Sequence, residues 1–532
     1  MKGKRGFTAL AAGCWKRHRL LVSVAVIALA GIASYSNVYG NQFLWDDEFL
    51  IQENAFIRDP AYLPVIFSTS SGGGVGRLDN FYRPVQMVAY TAVYSVAGPE
   101  PWAFHLLNVM LHVGNGVLIF FIVRKLFRRE GVALVASLLW VVHPVHTEAV
   151  TYMSGTADPL SVLFALGSLL AYILFREGRG LRFLGFSVVL FVMALLSKET
   201  VIILPLLLML YEFMSCGWRW NSREAWKRYR WALAFLAVAV VYFSLRLTVL
   251  DFGGTLNFYE EPNIYTDNIH VRALTFLASL PVYYSLLLMP VNLHMERDFP
   301  VFTSPLDSYV LLSAFILALL ALAAWRERRD RPFLGFGIAW FLVSFLPMSG
   351  IVPVNSFLLE HWLYLPSVGL FIAGAGLVQE AWNRREGARP FIAVGVALAV
   401  AASAGLTLDR NSDWRDPVTF YNDLLGYGEG TARVHNNLAM AYADMGEIAL
   451  AEQHYLRAIE LSDSYPQTRY NLARLCLARG DVDSAISNLS RSLEINPNFF
   501  FSYYLLGDIY AGMGEDGLAR EYYRRALEIE HY

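Results

Sequence analysis

The chain has 532 residues, 56% of them hydrophobic and 14% aromatic, with 43 Lys+Arg against 45 Asp+Glu and a mean hydropathy of +0.39. That is too apolar for one soluble domain, and the apolar residues fall in blocks that approach the roughly 20 helical residues needed to cross a bilayer. The net charge of −2 averages basic short loops with acidic longer segments, and the three scattered cysteines, Cys14, Cys216 and Cys476, indicate neither a disulfide framework nor a zinc site.

The start, MKGKRGFTALAAGCWKRHRLLVSVAVIALAGIASYS, has a basic front and an apolar run without a small-residue cleavage site. It reads as a retained first span rather than a removed signal peptide. Eleven apolar segments read as spans: 20–36, 104–124, 131–143, 159–175, 183–197, 200–215, 231–249, 308–325, 333–347, 363–381 and 390–407.

Lys and Arg near span ends stay on the cytoplasmic side, and alternate loops comply. One set holds Lys2, Lys4, Arg5, Lys16, Arg17 and Arg19, then RKLFRR (124–129), REGRGLR (176–182), WRWNSREAWKRYR (218–230), RERRDR (326–331) and NRREGAR (383–389). The other set has only scattered basic residues, among them Arg58, Arg77, Arg83, Lys198, Arg246, Arg272 and Arg297. Counting VRALTFLASLPVYYSLLLMP (271–290) as a crossing would invert every later loop, so it reads as an interfacial or re-entrant helix on the outer side. The N-terminus is then cytoplasmic, the C-terminus external, and the loops 37–103 and 250–307 are long and external. The run SGGGVGR (71–77) lacks the Lys-Ser/Thr of a phosphate-binding loop and reads as a flexible linker.

From Ala432 the sequence repeats every 34 residues, the length of a tetratricopeptide unit. Gly446, Gly480 and Gly514 keep one register; Ala439, Ala473 and Gly507 keep a second; Ala451, Ala485 and Ala519 a third; Tyr455, Leu489 and Tyr523 a fourth. These positions are the packing core of a solenoid, whose function lies on its concave face. The expected fold is all-α: a polytopic membrane helical bundle of about eleven spans over 1–410, a connecting helix over 411–431, and three repeats, 432–465, 466–499 and 500–532.

The outer ends of the spans concentrate ionisable groups, which are costly at membrane depth and mark a site or pathway. They are Asp46, Asp47 and Glu48 in WDDE; Tyr82 and Arg83 in FYRPV; His143, His146, Glu148 and Asp158 in HPVHTEAVTYMSGTADPL; Lys198 and Glu199 in SKET; and Glu360, His361 and Tyr364 in EHWLYLPS. Plainer roles stand beside these: inter-helix hydrogen bonds for His105 and His112, an interfacial ion pair for Lys198 with Glu199, and a helix cap for Asp46 and Asp47. His143, His146 and Glu148 are metal-ligand types without a third placed ligand, so no metal is assigned.

In order and combination these motifs, with FHLLNVMLH and RNSDWRDPVTFY ahead of the repeats, resemble one family over nearly the whole chain. They resemble the transmembrane and tetratricopeptide-repeat O-mannosyltransferases and their bacterial relatives, within the GT-C glycosyltransferase superfamily. The resemblance implies inverting transfer of a sugar, typically mannose, from a polyprenyl phosphate to a Ser or Thr hydroxyl of an extracytoplasmic protein. Such a reaction needs one carboxylate to take the hydroxyl proton, and cations or donors for the departing phosphate. Asp46 or Asp47 is then the base, with Glu48 a weaker alternative. Arg83, Lys198 and His361 meet the donor phosphate, while Glu48, Tyr82, His143, His146, Glu148, Asp158, Glu199, Glu360 and Tyr364 line the sugar and acceptor side.

Two departures replace an Arg of the family pattern: Thr156 in Gly155-Thr156-Ala157-Asp158, and His361 in Glu360-His361-Trp362. No cofactor is assigned; a divalent metal is left open but not indicated. The implied partners are the lipid-linked sugar, the bilayer and a protein or peptide acceptor held by the repeats, with no nucleic acid. The implied location is a bacterial inner membrane, with active site and repeats extracytoplasmic. Two alternatives stand beside this reading: a GT-C transferase with another lipid-linked sugar or a lipid or glycan acceptor, and a non-catalytic repeat-bearing membrane scaffold. A transporter ranks last, because the spans show no internal symmetry.

Overall fold

A computed structural model of the protein describes residues 2–76, 79–218, 223–248, 263–297, 299–351 and 357–530. Among these residues there are helices and turns but no strand. The chain divides into two compact units, Met1–Trp414 and Arg415–Tyr532.

The first unit is built on α1 (Lys2–Ser34), α2 (Pro84–Ala97), α3 (Pro101–Phe127), α4 (Glu130–Val141), α5 (Ala157–Leu174), α6 (Leu181–Leu195) and α7 (Leu204–Ser215). It continues with α8 (Arg223–Thr248), α9 (Ile269–Leu288), α10 (Ser308–Glu327), α11 (Pro332–Ser344), α12 (Ser367–Arg384) and α13 (Arg389–Ser412). Local chemistry sets several boundaries. Helix α3 opens on Pro101, whose missing N–H is no loss in a first turn, and closes with Arg124 and Lys125 on its carbonyl end before Arg128 turns left-handed at φ +54°. Helices α11 and α12 cross at bare backbone, since a Cβ on Gly337 would stand 2.3 Å from the Gly369 carbonyl oxygen.

By length and composition alone, six described helices qualify as membrane crossings rather than eleven: 101–127, 153–179, 226–248, 269–288, 308–327 and 386–412. The bent pair 130–141 and 144–150 makes a seventh if counted as one span, and 18–34, 181–195 and 332–348 are shorter apolar helices. The segment expected to be interfacial is one of the six, a 20-residue helix with Pro281 inside it. Both its ends are nevertheless tied to one end of the bundle. Near its start Arg272 donates to the Gly350 carbonyl (2.7 Å), beyond the end of α11, and near its finish the Leu287 carbonyl meets His143 (3.2 Å), beyond the end of α4.

The basic loops and the predicted site lie at opposite ends of this unit. At one end Lys125 pairs with Glu177 (2.5 Å), Phe127 meets Phe336 edge to face (6.0 Å), and Gly131 abuts Gln379, so the loops 124–131, 176–179 and 331–336 gather near the end of α12. The carboxylates and histidines of the predicted site lie at the other end. Helix α3, about 40 Å long, bridges the two, with Asn108 in the site and Arg124 among the basic loops.

The second unit starts with α14 (Pro417–Leu425), capped by Asp416, whose carboxylate accepts from the Thr419 amide (2.9 Å). Three antiparallel pairs follow: α15 (Ala432–Asp444) with α16 (Ile448–Leu461), α17 (Pro466–Ala478) with α18 (Val482–Ile495), and α19 (Phe500–Gly512) with α20 (Asp516–Glu530). Gly446, Gly480 and Gly514 each adopt φ +79° at the turn inside a pair, a conformation open to glycine at no steric cost. Ala439, Ala473, Ala451 and Ala485 are fully buried where helices meet, and at Gly507 a Cβ would stand 2.6 Å from the Tyr523 ring.

The glycine run expected to be a linker is packed instead. Ser71 donates its amide to the Phe81 carbonyl (2.8 Å), Asn54 donates to the Ser71 carbonyl (3.1 Å), and a Cβ on Gly74 would collide with the Asn54 side chain. Glycine serves close approach here.

Candidate active site

The acidic stretch leaves α1 through a short turn in which Trp45 adopts φ +53°, a strained setting for a bulky residue, and then enters a wide helical turn over Glu48–Gln52. This geometry sends the three carboxylates to different surroundings. Asp47 is 1% exposed. Its Oδ1 accepts from the Ser154 amide (2.7 Å) and hydroxyl (2.5 Å), and its Oδ2 from the Leu44 amide (3.0 Å). Burial pushes this carboxyl up to about 7 against the pull of those donors. Asp46 is half-buried, and its amide donates to the Tyr152 hydroxyl (3.0 Å). Glu48 is exposed.

The segment 150–158 that receives Asp47 is fixed from several sides. Gln86 donates to the Ser154 carbonyl (3.1 Å), Tyr90 to the Met153 carbonyl (2.9 Å), and Asn108 to the carbonyls of Val150 (3.2 Å) and Tyr152 (3.1 Å). Gly155 is required by close approach, because a Cβ there would lie 2.9 Å from the Glu148 carbonyl oxygen. Thr156 is fully buried, with its hydroxyl donating to Asn108 Oδ1 (2.5 Å) and close to the Met153 carbonyl. It therefore holds the loop. Tyr152 also rests against Trp414, ring centroids 5.5 Å apart, and Thr151 donates to Asn411 Oδ1 (2.7 Å), joining the loop to the end of α13.

The segment ends at Asp158, where Lys198 Nζ meets both carboxylate oxygens at 2.7 Å; the residues are 7% and 5% exposed. Next in sequence to Lys198, Glu199 pairs with Arg83 (3.2 Å) and stands 3.9 Å from Arg246. Burial works to raise the Glu199 carboxyl, but Arg83 and then Arg246 outweigh it and bring the group down to about 2. The Arg83 guanidinium also lies over the Phe81 ring (4.5 Å), and the neighbouring Tyr82 hydroxyl donates to the Phe67 carbonyl (2.9 Å). Of the three residues predicted to meet the phosphate, Arg83 and Lys198 thus come together, each beside a carboxylate.

A second ionic group forms from 148, 294–297 and 360–361. His361 Nδ1 is 2.7 Å from Glu148 Oε1, and its amide donates to the other oxygen (3.0 Å). Glu360, 1% exposed, accepts from Arg297 (2.7 Å) and from the His294 amide (2.6 Å). His361 is therefore bonded to Glu148, apart from the Arg83–Glu199 and Lys198–Asp158 pairs.

Three predicted residues sit inside the packed interior. His146 is fully buried with its ring centroid 4.6 Å from Trp140 and 5.0 Å from Tyr364. Tyr364 is 1% exposed and its hydroxyl lies 2.8 Å from His112 Nδ1. His143 caps a 3₁₀ turn, with Nδ1 accepting from the Val145 amide (3.3 Å). Their side chains brace the core in this structure. Among the described residues no group of three or more His, Cys, Asp or Glu stands at metal-holding distance.

Sequence reasoning missed Tyr152, Ser154, Asn108, Arg246 and Arg297. Tyr152 and Ser154 lie within HPVHTEAVTYMSGTADPL but carry no charge; Arg246 and Arg297 read from sequence only as scattered outer basic residues. The signal available was proximity in sequence to the motif, without a means of pairing residues over a hundred positions apart.

A family model described as dolichyl-phosphate-mannose-protein mannosyltransferase matches residues 84–244, which hold the 150–158 segment, Lys198 and Glu199. Tetratricopeptide-repeat models match 430–498 and 502–530. The chain is similar to the protein O-mannosyl-transferases. It is 26% identical over 463 residues to protein O-mannosyl-transferase F38B6.6 of Caenorhabditis elegans, covering 85% of this chain and 64% of that protein. It is 25% identical over 531 residues to human protein O-mannosyl-transferase TMTC3, covering 92% of this chain and 56% of the relative. For human protein O-mannosyl-transferase TMTC4 the identity is 27% over 494 residues, covering 81% and 65%. The chain thus spans under two thirds of the length of these O-mannosyl-transferases. With its apolar helices, this similarity makes it a membrane protein.

Proposed function

We propose that the protein transfers a sugar, mannose, from a polyprenyl-phosphate donor to a Ser or Thr hydroxyl of a protein, with inversion at the anomeric carbon. The acceptor oxygen attacks C1, the bond from C1 to the phosphate oxygen breaks, the hydroxyl proton passes to Asp46, and polyprenyl phosphate leaves. The observation that carries this reading is the acidic turn held against the 150–158 segment, which ends in the Asp158–Lys198 pair.

Of the two aspartates, Asp46 is the base. Asp47 already accepts three protein donors, whereas the half-buried Asp46 stands beside it on the same turn. Asp47 fixes the turn and is a positioning residue. The donor phosphate is met by Lys198, Arg83 and Arg246, which stand among Asp158, Glu199 and Asp79; the Arg83 guanidinium, bonded to Glu199 through one terminal nitrogen, has further N–H donors. Glu148, Glu360 and His361 are assigned to the sugar and acceptor side. The repeats hold the acceptor polypeptide, raising its effective concentration at the site.

The carboxylate end is extracytoplasmic, in a bacterial inner membrane; the gathering of basic loops at the other end supports this orientation. The test is to incubate the purified protein with polyprenyl-phosphate mannose and Ser/Thr peptides and to read the products by mass spectrometry. A hexose on a hydroxyl, with α-configured product from β-configured donor, supports the reading. Donor binding without transfer to any hydroxyl overturns it.

A further inference from the structure

At the end of the bundle remote from the acidic turn, a cleft of about 220 Å³ opens between the start of α11 and the end of α12, lined by Arg331, Leu377, Glu380, Ala381, Arg384 and Arg385. The proposed transfer reaction makes no use of it. Glu380 organises the cleft. Its carboxylate accepts from Arg331 through Nε (3.0 Å) and a terminal nitrogen (3.3 Å), and from Arg384 one turn later on the same helix. Arg331 also reaches Glu327 (3.5 Å).

Three guanidiniums, Arg331, Arg384 and Arg385, therefore stand with two carboxylates, Glu380 in the cleft and Glu327 behind Arg331. Arg384 and Arg385 are exposed, and Arg385 has no side-chain partner among the described residues. A guanidinium held by a carboxylate along one edge keeps donors on its others, in the planar fork that suits phosphate oxygens.

The surroundings specify where that phosphate comes from. Leu377, on the wall of the cleft, is 45% exposed, and the neighbouring α10 and α13 present Leu319, Leu322, Phe391, Val394 and Leu398 outward. Trp325, which is exposed, lies near the end of α10 and Trp382 near the end of α12, and the Arg389 guanidinium stands 6.0 Å from the Trp382 ring. Tryptophan and arginine bordering an exposed apolar belt mark the depth of lipid headgroups, and basic pockets between helices there hold anionic ones.

We infer that the Arg331–Arg384–Arg385 cleft binds the phosphate of an anionic phospholipid headgroup, with the acyl chains lying along the apolar faces of the adjoining helices. The tests use full-length protein purified in detergent and exposed to phosphatidylglycerol or phosphatidylcholine, with retained lipid counted by native mass spectrometry. The parent retains phosphatidylglycerol at least tenfold better than phosphatidylcholine. Arg384→Gln with Arg385→Gln, both at exposed positions, removes that preference, while Arg524→Gln with Arg525→Gln, exposed in the repeat unit, leaves it. Equal retention of the two lipids, or equal loss in both double variants, overturns the site. Displacement of phosphatidylglycerol by millimolar inorganic phosphate, with phosphate binding as tightly, overturns the lipid as its source.

Discussion

Ser154 and Asp47, 107 residues apart in the chain, are joined by two hydrogen bonds to one carboxylate oxygen, from the amide at 2.7 Å and from the hydroxyl at 2.5 Å. Above about pH 7, where the Asp47 carboxyl is ionised, hydrogen bonds to it are worth more than neutral ones, roughly 1.5–3 kcal/mol each. Replacing Ser154 by Ala is expected to lower thermal stability by about that amount and to loosen the acidic turn. Thermal denaturation of the detergent-purified variant, with transfer measured alongside, checks both.

The pH dependence follows from Asp47. Its folded carboxyl titrates at about 7 against 3.8 as the reference, so between these values the folded protein holds a proton that the unfolded chain has released. This contribution to stability is complete below 3.8 and is lost as pH rises through 7, with a slope of at most about 1.4 kcal/mol per pH unit. Asp47→Asn removes it. The parent should therefore lose stability relative to Asp47→Asn between about pH 4 and 7, read as a converging or crossing pair of melting temperatures. A constant offset across that range shows that Asp47 titrates normally.

Lys198 and Asp158 form a buried pair with both carboxylate oxygens engaged. Removing one partner leaves the other charged and buried, at a cost of roughly 3–5 kcal/mol. Lys198→Met and Asp158→Asn should each destabilise the protein strongly, while the double variant lies closer to the parent than either. The double-mutant cycle in thermal denaturation supplies the coupling energy.

Two glycines differ in why they are needed. Gly155→Ala places a methyl 2.9 Å from a backbone carbonyl and 3.0 Å from another, neither of which yields easily, and should cost about 1–3 kcal/mol. Gly480→Ala meets open space but must hold φ +79°, which costs roughly 1–2 kcal/mol. Hydrogen exchange should report the first at 147–158 and the second in α17 and α18.

The repeats were legible because each position answers to one nearest-neighbour rule, so small residues every 34 positions mark helix contacts. Eleven segments expected to cross fall on helices, yet by length and composition alone five of them qualify, with 269–288 as a sixth that was expected to be interfacial. Helices of 12 to 15 residues such as α6 and α7 fall short of that test, and α9 meets it while tied at both ends to one end of the bundle. Hydropathy measures length and greasiness, and these alone do not set a path through the bilayer. At the site, residue type located the ionic groups but could not assign partners. Lys198 reads from sequence as a neighbour of Glu199 and bonds Asp158 instead, while His146, polar by type, is packed between aromatic rings. Asp46 and Asp47 are chemically identical in sequence; in the fold Asp47 is buried on the Leu44 and Ser154 donors, while Asp46 is half-buried.

That separation is open to one direct measurement: initial rates of mannose transfer from polyprenyl-phosphate mannose to a Ser/Thr peptide for the parent, Asp46→Asn and Asp47→Asn. With Asp46 as base, Asp46→Asn should lower kcat by roughly 10²- to 10⁴-fold without loss of donor binding or melting temperature. Asp47→Asn should act more weakly and shift the melting temperature as well. Unimpaired turnover by Asp46→Asn would show that the proton leaves by another route.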